Sequence, residues 1–425
     1  MAQYRPRIVD NQLEKMLRRI GAVLVQGPKW CGKTTTAEQK ASSIIYLDDP
    51  SKKKMYVQTA ELNIQMLLQG DTPRLMDEWQ LIPQLWDAVR FEVDHRKADG
   101  QFILTGSAIP AKTDEINHTG TGRLARLTMR TMSLQESGDS SGLVNLQWLF
   151  EKHDEQPSGM ANINLNRLAF LICRGGWPNS IDKPEEDALD LAYDYYNAVV
   201  ESDISRVDGV MRNAELARRL MRSLARHQGG QVSLETIRKD MAMNDEHTLG
   251  ESSFAQYMNA LKSIFVVDDM AAWNPNLRSK TAIRTSDTRY FNDPSIAAAA
   301  LGISPADLTN DLNTMGLLFE TLAVRDLRVY ANALNGNVYH YRDKNGLECD
   351  AVIHLRDGSY GLVEIKLGGS ALVEEGAKTL KALAAKIDTN RMKAPSFMMV
   401  LTGIGDYPFR RNDDVYVVPI GCFGV

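Results

Sequence analysis

The sequence predicts an α/β fold in which helices alternate with the strands of a parallel sheet, and three features of the chain carry this prediction. Residues 22–26 have the continuous apolar composition of a buried strand, a glycine-rich loop follows at 27–34, and a helix is expected from residue 35 to 41. Two further apolar stretches, 74–78 and 101–107, end in polar residues.

Length and composition restrict the class of protein. A chain of 425 residues exceeds one hydrophobic core, so we expect roughly two to four domains. Its 44% hydrophobic and 24% charged residues are typical of a soluble globular protein, and the net charge of −5 argues against a strongly basic nucleic-acid binder while leaving room for a local basic patch. We find no apolar run of transmembrane length and no signal-peptide pattern, which predicts a cytoplasmic protein without membrane contacts.

The cysteines and histidines do not suggest a metal site. The four cysteines, Cys31, Cys173, Cys349 and Cys422, are far apart and form no C-x-x-C pair, which suits free thiols in a reducing compartment. The seven histidines show no zinc-ligand spacing.

The glycine-rich loop fits the phosphate-loop pattern G-x-x-x-x-G-K-[ST] at every fixed position. Between a strand and a helix, such a loop wraps backbone N–H groups around phosphate oxygens, and a chance glycine-rich turn is the alternative. Lys33 is expected to reach the β- and γ-phosphates, and Thr34 to place its hydroxyl on Mg²⁺. We therefore predict a site for ATP or GTP with Mg²⁺. The predicted nucleotide-binding residues are Gly27, Pro28, Lys29, Trp30, Cys31, Gly32, Lys33, Thr34 and Thr35.

Two acids, Asp77 and Glu78, close the apolar stretch at 74–78. A strand that ends in an acid, downstream of a phosphate loop, is where the Mg²⁺-holding aspartate belongs. Asp77 is expected to hold Mg²⁺ through water, and Glu78 to polarise the attacking water as general base. A solvated strand end is the alternative for the pair.

Three further residues are candidates to act at the γ-phosphate. Thr105 or Ser107 would sense it through a hydrogen bond made or lost on hydrolysis, and ordinary turn chemistry is an equal alternative. Arg123 would approach it within the same chain or from a neighbouring subunit, and a surface arginine is the alternative. Arg126 is the next candidate for that role.

These segments resemble the bacterial and archaeal ATPases of the AAA_14 type. The resemblance is carried by the phosphate loop and then, in order, by L-M-D-E-W-Q at 75–80, L-T-G-S at 104–107, G-R at 122–123 and M-S-L-Q-E-S-G at 132–138. It implies an AAA-like sheet with strand order 5-1-4-3-2 and ATP as the nucleotide, and it supports the roles given to Asp77, Glu78 and Arg123. Proteins of this type usually carry a C-terminal DUF4143 domain.

Two later elements extend the resemblance. The stretch Gly175-Gly176-Trp177-Pro178 is similar to the G-G-[YF]-P element that the family often shows. The stretch Tyr290-Phe291-Asn292-Asp293-Pro294 resembles the Y-F-x-D-P-x-[LI] element of DUF4143 proteins.

Residues 211–305 suggest a winged-helix-like domain. Helices are expected at 215–227, from Ser233 towards 241, and from Ser252 or Ser253 through 264, followed by a hairpin of 265–267 and 289–291. The third helix offers Lys262 as its single basic residue, with Gln256 and Asn259 as possible base readers. We therefore favour packing within the chain over sequence-specific DNA binding.

The first helix and the wing of this domain are more basic. They are candidates to hold a DNA phosphate backbone without reading sequence, and a solvated charged face is the alternative. Their basic residues are Arg218, Arg219, Arg222 and Arg226 in the helix and Arg278, Lys280 and Arg284 in the wing.

The last part of the chain predicts a third unit, with a long helix containing Glu320, a strand containing Asp350 and a strand containing Glu364 and Lys366. Residues two apart in a strand share a face, so Glu364 and Lys366 point the same way. This order resembles the core of PD-(D/E)xK nucleases, a restriction-endonuclease-like α/β fold. Two or three carboxylates would hold Mg²⁺ and Lys366 would position the water. A catalytically silent docking domain is the alternative.

Taken together, the sequence predicts an AAA-like ATPase domain at 1–145, a helical bridge at 146–210, the winged-helix-like domain at 211–305 and the nuclease-like domain at 306–425. The predicted function is an ATP-driven switch that controls a nucleic-acid-processing module, with DNA and further copies of the chain as possible partners. The alternative is a nucleotide-gated interaction protein whose later domains are docking surfaces.

Overall fold

The computed structural model describes residues 4–108, 120–151, 158–241, 249–275 and 286–425. The predicted wing residues Arg278, Lys280 and Arg284 lie outside these ranges. The chain divides into two units, and each is assembled from several stretches of sequence. Unit 1 consists of Met1–Thr131, Val199–Asn213 and Ala255–Val266, and unit 2 consists of Met132–Ala198, Ala214–Phe254 and Val267–Val425.

The strands in chain order are β1 (Ala22–Gln26), β2 (Ser43–Tyr46), β3 (Arg74–Asp77), β4 (Phe102–Gly106), β5 (Leu124–Thr128), β6 (Val144–Asn145), β7 (Gly336–Arg342), β8 (Glu348–Leu355), β9 (Tyr360–Lys366), β10 (Phe397–Thr402), β11 (Phe409–Arg410), β12 (Val415–Pro419) and β13 (Phe423–Gly424).

The α-helices in chain order are α1 (Ile8–Leu17), α2 (Lys33–Glu38), α3 (Lys53–Asn63), α4 (Leu85–Arg96), α5 (Leu134–Ser137), α6 (Leu146–Glu151), α7 (Leu165–Arg174), α8 (Glu185–Ala198), α9 (Ile204–Arg206), α10 (Ala214–Arg226), α11 (Leu234–Asp240), α12 (Glu251–Ser263), α13 (Pro294–Leu301), α14 (Pro305–Asn310), α15 (Leu312–Ala333) and α16 (Ser370–Lys386). A π-helical segment, Val199–Asp203, lies between α8 and α9.

A five-stranded parallel sheet forms the centre of unit 1, with the order β2-β3-β4-β1-β5. Read from the other edge this is 5-1-4-3-2, so the predicted α/β fold and strand order are confirmed. The middle strands β1 and β4 are buried along almost their whole length, which fits strands covered by helices on both faces. One hydrophobic core includes Leu24, Trp86 and Leu104, and a second includes Leu13 and Val25.

A six-stranded mixed sheet forms the core of the last part of unit 2, in the order β11-β12-β10-β9-β8-β7. Strand β8 pairs antiparallel with β7 and with β9, and β11 pairs antiparallel with β12, whereas β10 pairs in parallel with β9 and with β12. Helix α15 packs against β7, β8 and β9, and α16 packs against β8, β9 and β10. The predicted long helix with Glu320 is present as α15, and the predicted strands with Asp350 and with Glu364 and Lys366 are present as β8 and β9. The two-residue strands were not predicted, because so short a stretch has no periodicity.

The family-like motifs of unit 2 meet around one buried arginine. Arg325 forms ion pairs with Asp293, at 3.0 Å, and with Asp326, at 2.8 Å. Asp293 also accepts a hydrogen bond from the backbone of Gly176, at 2.9 Å, and Asp326 accepts one from the backbone of Leu134, also at 2.9 Å. The stretches at 132–138, 175–178 and 290–294 are therefore parts of one buried polar network, which compensates the charge of each member.

The residues of the predicted winged helix form three helices and a short antiparallel pairing. The bounds agree closely with expectation, except that α12 begins at Glu251, before the predicted Ser252 or Ser253. Ser233 caps α11 through a bond from Thr236 N to its hydroxyl, and Val267 pairs with Phe291. These residues are divided between the two units, because 255–266 belong to unit 1. The winged-helix-like domain therefore stays a prediction.

A membrane-spanning helix was not expected. Among the described residues, no helix combines the length and the apolar character that crossing a bilayer would require.

Candidate nucleotide-binding site

The phosphate loop lies at the carboxyl end of β1, between that strand and α2. Gly27 has φ 156°, and a Cβ atom on it would lie 2.1 Å from the carbonyl oxygen of Met129. Gly32 has φ 97° and immediately precedes α2. Gly27 must be glycine because another backbone segment approaches it, and Gly32 must be glycine because its conformation is left-handed. The fixed glycines of the motif are thus explained by local geometry.

Lys33 is turned back over the loop. Its ammonium group donates a hydrogen bond to the carbonyl oxygen of Pro28 at 2.8 Å, and the residue is only 5% exposed. A buried ammonium held by a loop carbonyl is positioned to exchange that contact for a phosphate oxygen, to which a charge-assisted bond is stronger. The geometry therefore fits the phosphate contact predicted for Lys33.

Asp77 joins the phosphate loop to the end of β3. Its Oδ1 atom accepts hydrogen bonds from the hydroxyl groups of Thr34, at 2.7 Å, and Thr105, at 2.5 Å. Burial raises the pKa of Asp77, and the two hydrogen bonds, first from Thr105 and then from Thr34, act in the opposite direction. A threonine hydroxyl beside a carboxylate is a set of hard oxygen donors, which Mg²⁺ prefers. The residues predicted to hold Mg²⁺ are therefore adjacent and chemically suited to it.

Glu78 is held in place by three neighbours. Its backbone is left-handed, with φ 55°, and its N–H donates to the Thr105 hydroxyl at 3.2 Å. Its Oε2 atom accepts from the hydroxyl of Ser107 at 3.0 Å and from the side-chain amide of Gln80. Thr105 and Ser107, the two candidate sensors, are thus in direct contact with the two predicted catalytic acids. Gln80 was missed by sequence reasoning, although it belongs to the L-M-D-E-W-Q motif, because its role depends on how the chain turns at Glu78.

Arg123 precedes β5 and therefore lies at the end of the sheet opposite to the phosphate loop. Strand β5 pairs in parallel with β1, so that Leu124 is opposite Ala22 and Thr128 is opposite Gln26. The loop follows Gln26, which lies five residues, or about 17 Å, along the strand from the level of Arg123. Arg123 instead forms an ion pair with Asp94 at 2.6 Å. The predicted action of Arg123 at the γ-phosphate, within the same chain or on a neighbouring subunit, stays a prediction.

The remaining candidate, Arg126, lies over the ring of Trp86, 5.5 Å from its centroid, in the middle of the same strand. This cation–π contact also keeps it away from the loop.

Two residues far from the loop in sequence contact it, and the sequence analysis did not find them. Arg7 is buried and donates to the carbonyl oxygens of Cys31, at 2.8 Å, and Arg130, at 2.9 Å. Asp203 lies 174 residues from Lys29 and accepts a bond from its ammonium group. Neither belongs to a motif, because each acts on the loop through tertiary structure.

The residues of the predicted nuclease-like site also come together. The Lys366 ammonium lies 2.7 Å from Glu364 Oε2 and 3.4 Å from Asp350 Oδ2. Asp350 Oδ2 further accepts the backbone N–H of Ile365 at 2.7 Å. The hydroxyl of Tyr290 donates to Glu320 Oε1 at 2.6 Å. Predicting the cluster was possible because side-chain parity along β8 and β9 determines which residues share a face.

The carboxyl groups of this cluster are electrostatically coupled. Burial and then the charge of Asp350 raise the pKa of Glu320 to about 8. The same two causes raise the pKa of Glu364 to about 8, although Lys366 opposes them. Within the described ranges, no group of three or more His, Cys, Asp or Glu side chains is placed so that it could hold a metal ion. The Lys366 ammonium bridges Asp350 and Glu364, and the ion held by two or three carboxylates stays a prediction.

The basic face predicted on α10 is partly neutralised by neighbouring acids. Arg219 pairs with Glu215 at 3.2 Å, and Arg226 pairs with Asp240 at 3.6 Å. DNA binding through this helix stays a prediction.

Known protein families match the two parts of the chain that contain these two sites. Residues 20–138 match the AAA domain family AAA_14, and residues 315–423 match DUF4143, a domain of unknown function. The chain contains an AAA_14 domain and a DUF4143 domain. Between the two, residues 165–307 match a second domain of unknown function, DUF8612. The AAA_14 match contains the phosphate loop with Asp77 and Glu78, and the DUF4143 match contains the whole carboxylate cluster.

The AAA_14–DUF4143 chain is also similar to full-length proteins. Uncharacterized proteins of Mycobacterium tuberculosis and Mycobacterium bovis are each 23% identical to it over 412 residues, which is 96% of this chain and 82% of the relative. Among solved structures, a Walker-type ATPase of Pyrococcus abyssi covers 70% of this chain with 99% of its own length, at 12% identity and a TM-score of 0.41.

Proposed function

We propose that this protein is a Mg²⁺-dependent ATPase and that its nucleotide state acts as a switch on the DUF4143 half of the chain. One observation carries the proposal: the hydroxyl of Thr34, in the phosphate loop, contacts Asp77 at 2.7 Å. This contact brings together the two residue types that hold Mg²⁺ on a bound nucleotide in phosphate-loop enzymes.

In the proposed mechanism, each residue of the site has a separate task. Lys33 contacts the β- and γ-phosphates after leaving the Pro28 carbonyl oxygen. Thr34 and Asp77 would hold Mg²⁺, which supplies charge neutralisation at the phosphates. Glu78 accepts a proton from the attacking water. Its Oε2 atom now accepts from Ser107 and Gln80, so the attacking water would take the place of one of these donors.

The test is ATP turnover and ATP binding by Glu78→Gln. The amide cannot accept the proton of water, so turnover is expected to fall by roughly two decades while ATP stays bound. Glu61→Gln is the matched control, because Glu61 is an exposed glutamate on α3 of the same unit. Wild-type turnover in Glu78→Gln would mean that another group is the base, and no ATP binding by the wild-type chain would reject the proposal.

For the DUF4143 half, one observation favours a docking module over a nuclease. The Lys366 ammonium bridges Glu364 and Asp350, and so compensates the carboxylate charge that an ion would otherwise neutralise. We therefore favour a nucleotide-gated interaction role for this half, with nucleic-acid processing as the second candidate.

Measurements of metal binding and of DNA cleavage distinguish the two candidate roles of the DUF4143 half. Calorimetric titration with Mg²⁺ and Mn²⁺, and incubation with single-stranded, duplex and branched DNA, should give neither binding at the cluster nor cleavage. Cleavage that disappears in Asp350→Ala would establish the nuclease instead.

A further inference from the structure

Lys29, in the body of the phosphate loop, forms an ion pair with Asp203. The Lys29 Nζ atom lies 2.5 Å from Asp203 Oδ1. The lysine side chain is 42% exposed, whereas the aspartate side chain is only 9% exposed. A surface ion pair contributes little, but a nearly buried carboxylate depends on its partner, because leaving a desolvated charge unpaired is costly. Lys29 of the phosphate loop is thus already paired with the carboxylate of Asp203.

Asp203 ends the π-helical segment Val199–Asp203. Single π-helical turns are rare and occur frequently at functional sites. The next turn continues from this residue, because Val207 N donates to the Asp203 carbonyl oxygen at 3.2 Å. A shift of Asp203 would therefore also move the helical turn that follows it.

The residues after Asp203 are tied to α12 by specific hydrogen bonds. The backbone N–H of Arg212 donates to the Ser205 hydroxyl at 2.9 Å, and its guanidinium donates to the Ile204 carbonyl oxygen at 2.6 Å. Asn213 N then donates to the hydroxyl of Tyr257, on α12, at 2.8 Å. The segment Val199–Asn213 is consequently connected to the phosphate loop at one end and to α12 at the other.

We propose that Lys29 is a second phosphate-binding lysine and that ATP and Asp203 compete for its ammonium group. The inference rests on the proposed ATPase function. When the Lys29 ammonium binds a phosphate oxygen, Asp203 loses its partner, and the segment Val199–Asn213 is released from the loop. Competition is expected because a triphosphate carries more negative charge than one carboxylate, and its oxygens accept charge-assisted bonds at least as well. The nucleotide state would then reach α12 through residues 204–213.

Calorimetry with Mg-ATP tests the competition. Lys29→Met, which keeps most of the aliphatic stem, is expected to bind ATP about tenfold more weakly, and Lys29→Arg should bind as the wild type does. Asp203→Asn should bind ATP more tightly, because it frees Lys29 and removes a negative charge. The matched control is the exposed pair of Lys40 and Glu14, with Nζ–Oε2 2.9 Å, in the same unit. Lys40→Met and Glu14→Gln should leave the affinity unchanged.

Hydrogen exchange tests the release of the segment. In the wild-type chain, Mg-ATP should speed exchange of the amides of Val207, Arg212 and Asn213. In Asp203→Asn these amides should exchange fast without ATP and change little when it is added. Wild-type affinity in Lys29→Met, or exchange rates that ATP leaves unchanged, would overturn the inference. Failure of the ATPase proposal is distinct, because then the wild-type chain would not bind ATP or Lys33→Ala would bind it equally well.

Discussion

Thr34 and Asp77 are hydrogen-bonded at 2.7 Å although 43 residues separate them in the chain. The contact arises because β1 and β3 are the two neighbours of β4 in a parallel sheet, so their carboxyl ends reach the same edge. Side chains that follow the two strands must then approach each other.

Lys33→Ala should lose measurable ATP affinity. The residue is buried at the loop, and an alanine there cannot make its charge-assisted contact to phosphate. Calorimetric titration with Mg-ATP measures the effect, and far-ultraviolet circular dichroism verifies that the variant is folded. Unchanged affinity would show that the phosphates bind elsewhere.

Gln80→Ala should turn over ATP faster than the wild type, by roughly threefold to tenfold. The substitution removes one of two donors from Glu78 Oε2, and a hydrogen bond has a net value of about 0.5–1.5 kcal/mol. ATP affinity should not change. Steady-state turnover at saturating ATP provides the measurement, with the exposed Gln69→Ala as control. A slower enzyme would mean that Gln80 positions Glu78 for attack instead of restraining it.

Arg130→Ala should reduce turnover more than Arg123→Ala. Arg130 follows β5 at the edge that carries the loop, and Arg7 bridges its carbonyl oxygen to that of Cys31. An arginine at a phosphoryl-transfer site contributes up to about 10³ in rate, so a loss of at least about tenfold is expected for Arg130→Ala. Arg123→Ala should be close to wild type at protein concentrations too low for assembly. A large loss in Arg123→Ala that appears only at high concentration would identify action on a neighbouring subunit.

Glu320→Gln should remove part of the pH dependence of stability. The pKa of Glu320 is raised from 4.5 to about 8 in the folded chain, chiefly by burial. An acid of this kind holds a proton in the folded state and not in the unfolded state between these values, so the free energy of unfolding falls as pH rises through that window. The amide keeps an oxygen for Tyr290 and cannot ionise.

Thermal unfolding between pH 5 and pH 9 measures this effect. Glu320→Gln should match the wild type near pH 5 and melt at least about 2 °C higher at pH 9, the shift that roughly 1 kcal/mol produces in a domain of this size. Glu348→Gln, an exposed residue of β8 that pairs with Arg342, is the control. Parallel curves for Glu320→Gln and the wild type would show that Glu320 is already ionised in the folded state.

Sequence was sufficient for the parts of the site that are local. The loop pattern, the acids at the end of β3 and the side-chain parity of Glu364 and Lys366 all follow from spacing within one element. The strand order was available only through family resemblance. The position of Arg123 follows from the strand direction, because a residue that precedes a parallel strand lies at the end of the sheet opposite to one that follows it.

The contacts made by Arg7, Gln80 and Asp203 were not predictable in the same way. Arg7 and Asp203 reach the loop from other parts of the chain, and Gln80 reaches Glu78 because of a left-handed residue that is not glycine. Such contacts depend on tertiary packing and leave no periodic or compositional signal in one sequence.

Strand β6 cannot pair with β13 until the last residues of the chain have been synthesised. The hydroxyl of Ser140 donates to the carbonyl oxygen of Phe423, 283 residues later, at 2.7 Å, and Gln135 accepts from the backbone of Val425. At about 5–20 residues per second, roughly 15 to 60 s pass on the ribosome before residues 135–145 can meet these partners. We predict that this early stretch is cut by protease in nascent chains stalled before residue 420 and protected once the released chain has folded. Equal protection in both would mean that other contacts hold the stretch while translation continues.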